Sequence, residues 1–246
     1  MSPRSENKVA GTLEVVKDGA ALAARAAEII AGRLKVARYP FRLLLSGGST
    51  PRATYELLAG REIDWDCAEL FFGDERFVPP DHKDSNYRMV RETLLSSEFV
   101  NPRKVLAIPT DGSLQSAADR YDEILRQQYG AGTLEAGVPL FHLTLLGLGE
   151  DGHTASLLPG QPVLKEMDRW AAPVPQGRDE PRITLTYPAL NSSELILFMV
   201  SGAGKRDALA QARGGIGPAG GIKPQGEVLW LVDEAAAGKE DQGYGF

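Results

Sequence analysis

The chain has 246 residues, of which 43% are hydrophobic and 24% charged, and this composition is typical of a folded globular protein rather than a disordered one. The net charge of −6 argues against a nucleic-acid-binding protein, which would usually carry a basic surface. A single cysteine, Cys67, excludes an internal disulfide and a cysteine-based zinc site. Without an apolar run of about 18 residues or an apolar leader, the sequence predicts a cytoplasmic protein with no membrane span.

Short apolar runs alternate with segments of helical periodicity along most of the chain. Apolar runs predict strands at residues 41–45, 69–72, 105–108, 141–146, 170–174, 183–185, 194–200 and 228–232. Helical spacing predicts helices at about residues 19–33, 51–58, 86–95, 113–129, 206–212 and 233–237, with another starting near Thr154. The Gly- and Pro-rich residues 213–226 predict a mobile loop. This alternation indicates a single α/β domain, with a core at about residues 10–237, built on a mostly parallel sheet with helices on both faces.

Ligands of such sheets bind beyond the carboxyl ends of the strands, so the loops that follow strands carry the functional information. The first of these loops contains Ser46, Gly47, Gly48, Ser49 and Thr50. Adjacent glycines let backbone N–H groups converge on an anion, and the positive end of the following helix adds to the attraction. The loop therefore predicts a phosphate site, with a plain strand-to-helix turn as the alternative.

Three charged residues, Asp74, Glu75 and Arg76, directly follow the next predicted strand. Such a cluster is costly beside an apolar strand unless it faces a polar cleft. Arg76 is suited to bind a carboxylate, a phosphate or a developing oxyanion, and a solvated turn or a structural ion pair is the alternative.

The third loop, Gly147–Thr154, matches G-x-G-x-x-G after a strand, but no second strand ending in an acidic residue follows, so NAD binding is not favoured. It places His153 at the start of a predicted helix, whose dipole would favour a neutral imidazole able to act as a base. An ordinary capping or core histidine is the alternative, and that is the interpretation we give to His82 and His142.

Two isolated cations, Arg182 and Lys205, lie beside predicted strands, where each is either a surface charge or part of an anion site. No set of His, Asp and Glu residues has the spacing of a known metal motif. A G-x-S-x-G nucleophile elbow is also absent, so serine-type acyl transfer is not favoured.

Taken together, these loops resemble the 6-phosphogluconolactonase family over residues 10–237. The segments that carry the resemblance are Ser46–Pro51, Phe72–Val78, Gly147–Leu157, Arg182–Pro188, Gly204–Lys205 and Leu229–Asp233. The sequence departs from the family at Leu158, where phenylalanine is common, and in the Gly-rich residues 213–226. Neither departure touches the proposed chemistry.

The resemblance implies a Rossmann-like fold and hydrolysis of 6-phospho-D-glucono-1,5-lactone to 6-phospho-D-gluconate, the second step of the oxidative pentose phosphate pathway. It implies no metal or organic cofactor and a small-molecule sugar phosphate as partner. Separately, we expect a monomer or a weak homo-oligomer. By motif position, His153 is the base and Arg76 stabilises the oxyanion, with Asp74 or Glu75 positioning one of the two. Residues 46–50, Arg182 and Lys205 correspond to the phosphate site.

The related glucosamine-6-phosphate deaminases are the main alternative, because they share the phosphate loop and the Asp-Gly-His segment. Their pattern places a glutamate five residues after the histidine, where this chain has Leu158, and a tyrosine where it has Arg76. Both differences favour the lactonase. A non-catalytic sugar-phosphate sensor on the same fold is a third hypothesis, because a fold does not guarantee an activity.

Overall fold

The computed structural model describes residues 11–238 of the chain. The strands in this part are β1 Thr12–Val16, β2 Phe41–Leu45, β3 Ala68–Phe72, β4 Asp74–Arg76, β5 Lys104–Leu106, β6 Leu143–Gly147, β7 Ala171–Val174, β8 Arg182–Leu185, β9 Leu195–Val200 and β10 Glu227–Asp233. The helices are α1 Gly19–Val36, α2 Ser49–Ala59, α3 Asn86–Thr93, α4 Leu114–Tyr129, α5 Tyr187–Asn191, α6 Arg206–Arg213, α7 Gly217–Gly220 and α8 Glu234–Ala237. Short 3-10 turns occupy Pro162–Lys165 and Ala203–Lys205.

Seven strands form one parallel sheet in the order β1-β10-β9-β6-β2-β3-β5. Every residue of β3 and β9 is buried, which requires cover on both faces of the sheet. The predicted α/β fold with a mostly parallel sheet is therefore confirmed. Among residues 11–238 no helix has the length and apolar character needed to cross a bilayer.

Local sequence explains where the principal helices begin and end. α1 begins after Asp18, whose side chain accepts a hydrogen bond from the amide of Ala21, and it buries an Ala-rich face. α4 begins with a reciprocal capping box between Ser113 and Ser116 and ends at Gly130, whose φ of 88° suits glycine.

The order of the strands creates a crevice beside β2. The chain passes from β2 to β3 and β5 on one side, and β6 then returns to pair with the opposite side of β2. The loops that follow β2 and β6 consequently diverge at the carboxyl edge of the sheet, which is where open α/β sheets bind ligands.

A second, antiparallel sheet of order β4-β8-β7 was not expected from the sequence. Residues Asp74–Arg76, predicted as a loop, form strand β4 because they pair with β8. The edge strand β1 was also missed, since it is only partly buried and lies next to an Ala-rich helical segment. Tertiary pairing decides both elements, and local pattern does not.

Two other predictions are wrong. No helix begins near Thr154, because residues 154–157 form a tight turn closed by a hydrogen bond from the amide of Leu157 to the carbonyl of Thr154. The segment 213–226, predicted as a mobile loop, contains α7, in which Pro218 and Ala219 are buried. Its glycines allow close packing here: a Cβ at Gly221 would lie 2.6 Å from the Tyr187 hydroxyl.

Candidate active site

An open cleft of about 260 Å³ lies at the carboxyl edge of the main sheet, between the loops that follow β2 and β6. It gathers all but one of the site residues predicted from the sequence. Those lining it are Ser46, Gly47, Gly48, Ser49, Thr50, Asp74, Arg76, His153, Arg182 and Lys205. The exception is Glu75, which lines a separate depression beside α3.

The loop after β2 presents the bare N-terminus of α2 to the cleft. The N-cap residue Gly48 has a φ of 109° and provides no side-chain cap, so the first amides of α2 have no side-chain acceptor. Gly47 lies against the Asn86 side chain so closely that a Cβ would meet its Oδ1 at 2.0 Å. The Tyr55 hydroxyl fixes the loop, because it accepts a hydrogen bond from the amide of Ser46 and donates one to the carbonyl of Ser46. The free amides and the helix dipole form a site for an anion.

Two arginines and a lysine add positive charge to the same cleft. Arg76 and Arg182 are opposite each other in the β4–β8 pairing. The buried Nε atom of each has no hydrogen-bond partner, and burial lowers the pKa of Arg182 below its usual value. Arg76 donates through Nη1 to the carbonyl of Asp84. Within residues 11–238, neither arginine nor Lys205 forms an ion pair with a carboxylate. Three cations that form no direct ion pair favour an anionic ligand.

His153 is held by a neighbouring carboxylate and not by the helix dipole that the sequence analysis expected. Its Nδ1 lies 2.5 Å from Oδ1 of Asp151, and the same oxygen accepts the His153 backbone amide at 3.2 Å. Gly149 makes room for this pair, because a Cβ there would lie 2.0 Å from Nδ1. Nη2 of Arg178 also lies 3.3 Å from Nδ1. The carboxylate favours the tautomer with the proton on Nδ1, and this tautomer leaves Nε2 as the acceptor that a general base requires.

Asp151 is a functional candidate that the sequence analysis missed. Its other oxygen, Oδ2, accepts a hydrogen bond of 2.5 Å from Nη2 of Arg178. Partial burial acts to raise the pKa of Asp151, but the hydrogen bonds from Arg178 and His153 outweigh it and hold the pKa well below its usual range. The position of an aspartate two residues before the candidate histidine was the available clue.

The two acidic candidates after β3 have different surroundings, and neither contacts the His153 ring or the Arg76 guanidinium. Asp74 is buried and accepts hydrogen bonds from the Ser156 hydroxyl at 2.6 Å and from the Asn86 side chain at 3.3 Å. Glu75 accepts the backbone amides of Arg76, Asn86 and Tyr87. Burial raises the pKa of Glu75, although these amides oppose the shift. Glu75 thus holds the start of α3 and lies outside the cleft.

The other two histidines also lie outside the cleft. Nδ1 of His142 accepts the amide of Arg42 at 3.0 Å, and its ring stacks on Phe41. Nδ1 of His82 lies 3.6 Å from a carboxylate oxygen of Asp84. In the part of the chain described, no three His, Cys, Asp or Glu side chains are grouped closely enough to hold a metal ion.

Comparison with known proteins assigns the chain to a family. Residues 17–230 match the family model described as glucosamine-6-phosphate isomerases/6-phosphogluconolactonase. The chain belongs to this family. A 6-phosphogluconolactonase from Nostoc sp. is 40% identical over 238 residues, covering 93% of this chain and 98% of that protein. One from Rattus norvegicus is 37% identical, covering 89% of this chain and 88% of that protein.

The solved structures agree with this assignment. A 6-phosphogluconolactonase from Trypanosoma cruzi superposes with a TM-score of 0.81 at 26% identity, covering 93% of this chain and 96% of the other. A monomeric glucosamine-6-phosphate deaminase also superposes, with a TM-score of 0.76 at 19% identity, over 93% of this chain and all of the other. Because the fold accommodates both enzymes, the choice of reaction depends on the residues in the cleft.

Proposed function

We propose that this chain hydrolyses 6-phospho-D-glucono-1,5-lactone to 6-phospho-D-gluconate. The observation that carries the proposal is one cleft that combines a carboxylate-held histidine with an anion site at the N-terminus of α2. A phosphorylated ester needs both features, one for each end of the molecule. The relatives from Nostoc and rat, which bear the name 6-phosphogluconolactonase, support this substrate.

The phosphate end of the substrate binds at the loop after β2. The amides at the start of α2 and the hydroxyls of Ser46, Ser49 and Thr50 donate hydrogen bonds to the phosphate oxygens. Lys205 and Arg182 balance its charge. Local capture of this kind is necessary because the whole chain carries a net charge of −6 and repels anions at long range.

The lactone end of the substrate reaches His153. Nε2 removes a proton from a water molecule as its oxygen attacks the C1 carbonyl carbon, and Asp151 stabilises the resulting imidazolium. Arg76 and nearby amides stabilise the negative oxygen of the tetrahedral intermediate. The bond between C1 and the ring oxygen then breaks, and the imidazolium returns its proton to that oxygen. The product is an open-chain acid.

The deaminase alternative requires a carboxylate near the histidine at the position occupied by Leu158. That side chain is buried and apolar, with 1% of its surface exposed, so it cannot orient or charge-pair an imidazole. The carboxylate that contacts the ring is that of Asp151, which lies two residues before the histidine and not five after it. This aspartate–histidine pair favours proton transfer over a purely binding role.

The deciding experiment measures acid release from freshly generated 6-phosphogluconolactone in the presence of the purified protein, with glucosamine 6-phosphate as a parallel substrate. We expect lactone hydrolysis well above the spontaneous rate and no ammonia release from glucosamine 6-phosphate. Binding of 6-phosphogluconate without accelerated hydrolysis would instead identify a sensor. Ammonia release would identify a deaminase.

We further propose that the chain works in the cytoplasm as a single α/β domain, either as a monomer or as a weak homo-oligomer. The buried hydrophobic residues form one cluster that extends from α1 to α8, which supports a single folding unit. A relative from Arabidopsis thaliana, 36% identical, is described as chloroplastic, so the compartment needs a direct test. Cell fractionation would test the compartment, and recovery in a membrane fraction would contradict the proposal. Sedimentation velocity would test the oligomeric state, and a tight oligomer would contradict it.

A further inference from the structure

Ala155 has a strained backbone at the wall of the cleft. Its φ of 47° makes it the sole non-glycine residue with a positive φ in the range 11–238, whereas eleven glycines share this region of conformational space. An L-residue rarely adopts such a backbone, and strain of this kind persists only where the surrounding structure imposes it.

Three neighbouring strands hold the turn that contains Ala155. The Thr154 hydroxyl donates to the carbonyl of Gly147 at the end of β6, and the Ser156 hydroxyl donates to Asp74 on β4. The Ser156 amide donates to the Thr184 hydroxyl on β8. The residues before and after Ala155 are therefore both held by hydrogen bonds, and the buried carboxylate of Asp74 accepts one of them.

The amide of Ala155, in contrast, has no acceptor. The amides of Ser156 and Leu157 both donate within the turn or to a neighbouring strand, but that of Ala155 donates to no group among the described residues. Ala155 itself lines the cleft together with His153 and Arg76. A rigid, unbonded N–H at the wall of a reaction cleft has the properties of an oxyanion-hole donor.

From this geometry we infer that the Ala155 amide is a donor to the lactone carbonyl oxygen and to the oxyanion that it becomes. The inference rests on the proposed function and deepens it by identifying the second donor beside Arg76. Since two residues of chain span at most about 7 Å, the Cα atoms of His153 and Ala155 lie within that distance. The base and the donor can thus act on the same carbonyl group.

Replacing one backbone amide by an ester tests the inference directly. In Ala155→lactic acid the N–H becomes an oxygen while the side chain is retained. We expect kcat for lactone hydrolysis to fall about 10²–10³-fold, with the Kd for 6-phosphogluconate and the unfolding temperature little changed. Ala155→Gly, which keeps the amide but accepts a positive φ without strain and so positions the N–H less rigidly, should lose less activity than the ester.

Gly160→glycolic acid provides the matched control, because this exposed glycine also has an amide without a partner but lies outside the cleft lining. A loss of activity equal to that of the Ala155 ester would show that ester substitution by itself is harmful and would overturn the inference. So would an Ala155 ester with a kcat within twofold of the parent. If kcat falls as far in Ala155→Gly as in the ester, the effect comes from backbone geometry and not from the N–H, and the inference is again overturned.

A measurement on the parent protein avoids any folding defect of the ester. The probe is 6-phosphoglucono-δ-lactam, a carbonyl analogue that resists hydrolysis. Its binding should move the Ala155 amide proton downfield in an ¹⁵N-resolved NMR spectrum and leave the bonded Ser156 amide unchanged. Tight lactam binding without that shift would overturn the inference even if the protein is an active lactonase. A parent protein that neither hydrolyses the lactone nor binds the lactam would end both proposals.

Discussion

Asp151 holds His153 at the wall of the cleft, with 2.5 Å between a carboxylate oxygen and Nδ1 of the ring. The pair lies on the tight loop after β6, where Gly149 leaves the space that it occupies. Arg178 holds the second carboxylate oxygen from another segment of the chain. Ring orientation therefore depends on one aspartate, which lies two residues earlier in the chain and is itself held by Arg178.

Substitution Asp151→Asn tests this arrangement. An amide removes the negative charge that stabilises the imidazolium and can reverse the tautomer of the ring, so we expect kcat to fall by about 10²-fold or more. Because the pKa of Asp151 is held low, its carboxylate stays charged when the pH falls to mildly acidic values. The acid limb of the pH profile of kcat/KM in the parent should therefore report the uptake of one proton. Asp179→Asn, a neighbouring exposed carboxylate without an ion-pair partner among the described residues, is the control. Equal kcat values in the two variants would contradict the role of Asp151.

Substitution His153→Ala removes the proposed base. We expect a loss of about 10²–10⁴-fold in kcat, because this is the contribution of a positioned general base. The Kd for 6-phosphogluconate, measured by calorimetry, should change little, since the proposed phosphate site is the loop after β2 and does not include His153. Near-complete turnover in this variant would remove His153 from the mechanism.

Substitution Arg76→Lys keeps the charge and removes the planar fork. The guanidinium is fixed by its bond to the Asp84 carbonyl, and an ammonium cannot reproduce that geometry. We expect kcat to fall about 10²–10³-fold, as for loss of an oxyanion donor. Arg88→Lys, at an exposed ion pair with Glu92, is the matched control and should retain the parental kcat. If both variants hydrolyse lactone equally well, Arg76 has no special part in the reaction.

Substitution Lys205→Gln separates binding from chemistry. The lysine is expected to contact the phosphate, which does not change during the reaction, so the loss should appear in KM with kcat nearly constant. A charged hydrogen bond worth about 1.5–3 kcal/mol corresponds to an increase in KM of roughly 10- to 100-fold. Exposed Lys223→Gln provides the control for a general loss of positive charge. A fall in kcat at constant KM would place Lys205 at the reacting end instead.

Partly buried His142 predicts a pH dependence of stability that is independent of catalysis. Burial lowers the pKa of His142, and the neighbouring Arg42 adds to the effect, so the unfolded chain binds the proton more tightly than the folded one. The stability from this residue is present above the unfolded pKa of about 6.5 and is lost as pH falls from there through the lower folded value.

Urea denaturation of the parent and of His142→Asn between pH 7.5 and 5.5 would measure this effect. We expect the difference between the two proteins to fall with decreasing pH, by less than about 1.4 kcal/mol per pH unit, which is the limit for one proton. His82→Asn, at a partly exposed histidine on another loop, is the control for histidine replacement itself. A constant difference between parent and His142→Asn across this range would refute the assignment.

Much of the fold was predictable because periodicity is a local property. The apolar runs that became β2, β3 and β9 and the helical spacing of α1 and α4 indicated a parallel α/β sheet before any contact was known. The short strand β4 was unpredictable, since three charged residues become a strand only through pairing with β8.

The amino-acid sequence by itself determined the class of fold and the loops that carry the chemistry, because glycine pairs, helix starts and apolar runs act over a few neighbouring residues. Tertiary structure decided which of these residues meet. It brought Arg76 opposite Arg182, directed Glu75 away from the cleft and placed Arg178 on Asp151, the carboxylate that holds His153. The pairing of Arg76 with Arg182 depends on strand order and register, which join segments about 100 residues apart and leave no trace in any local pattern.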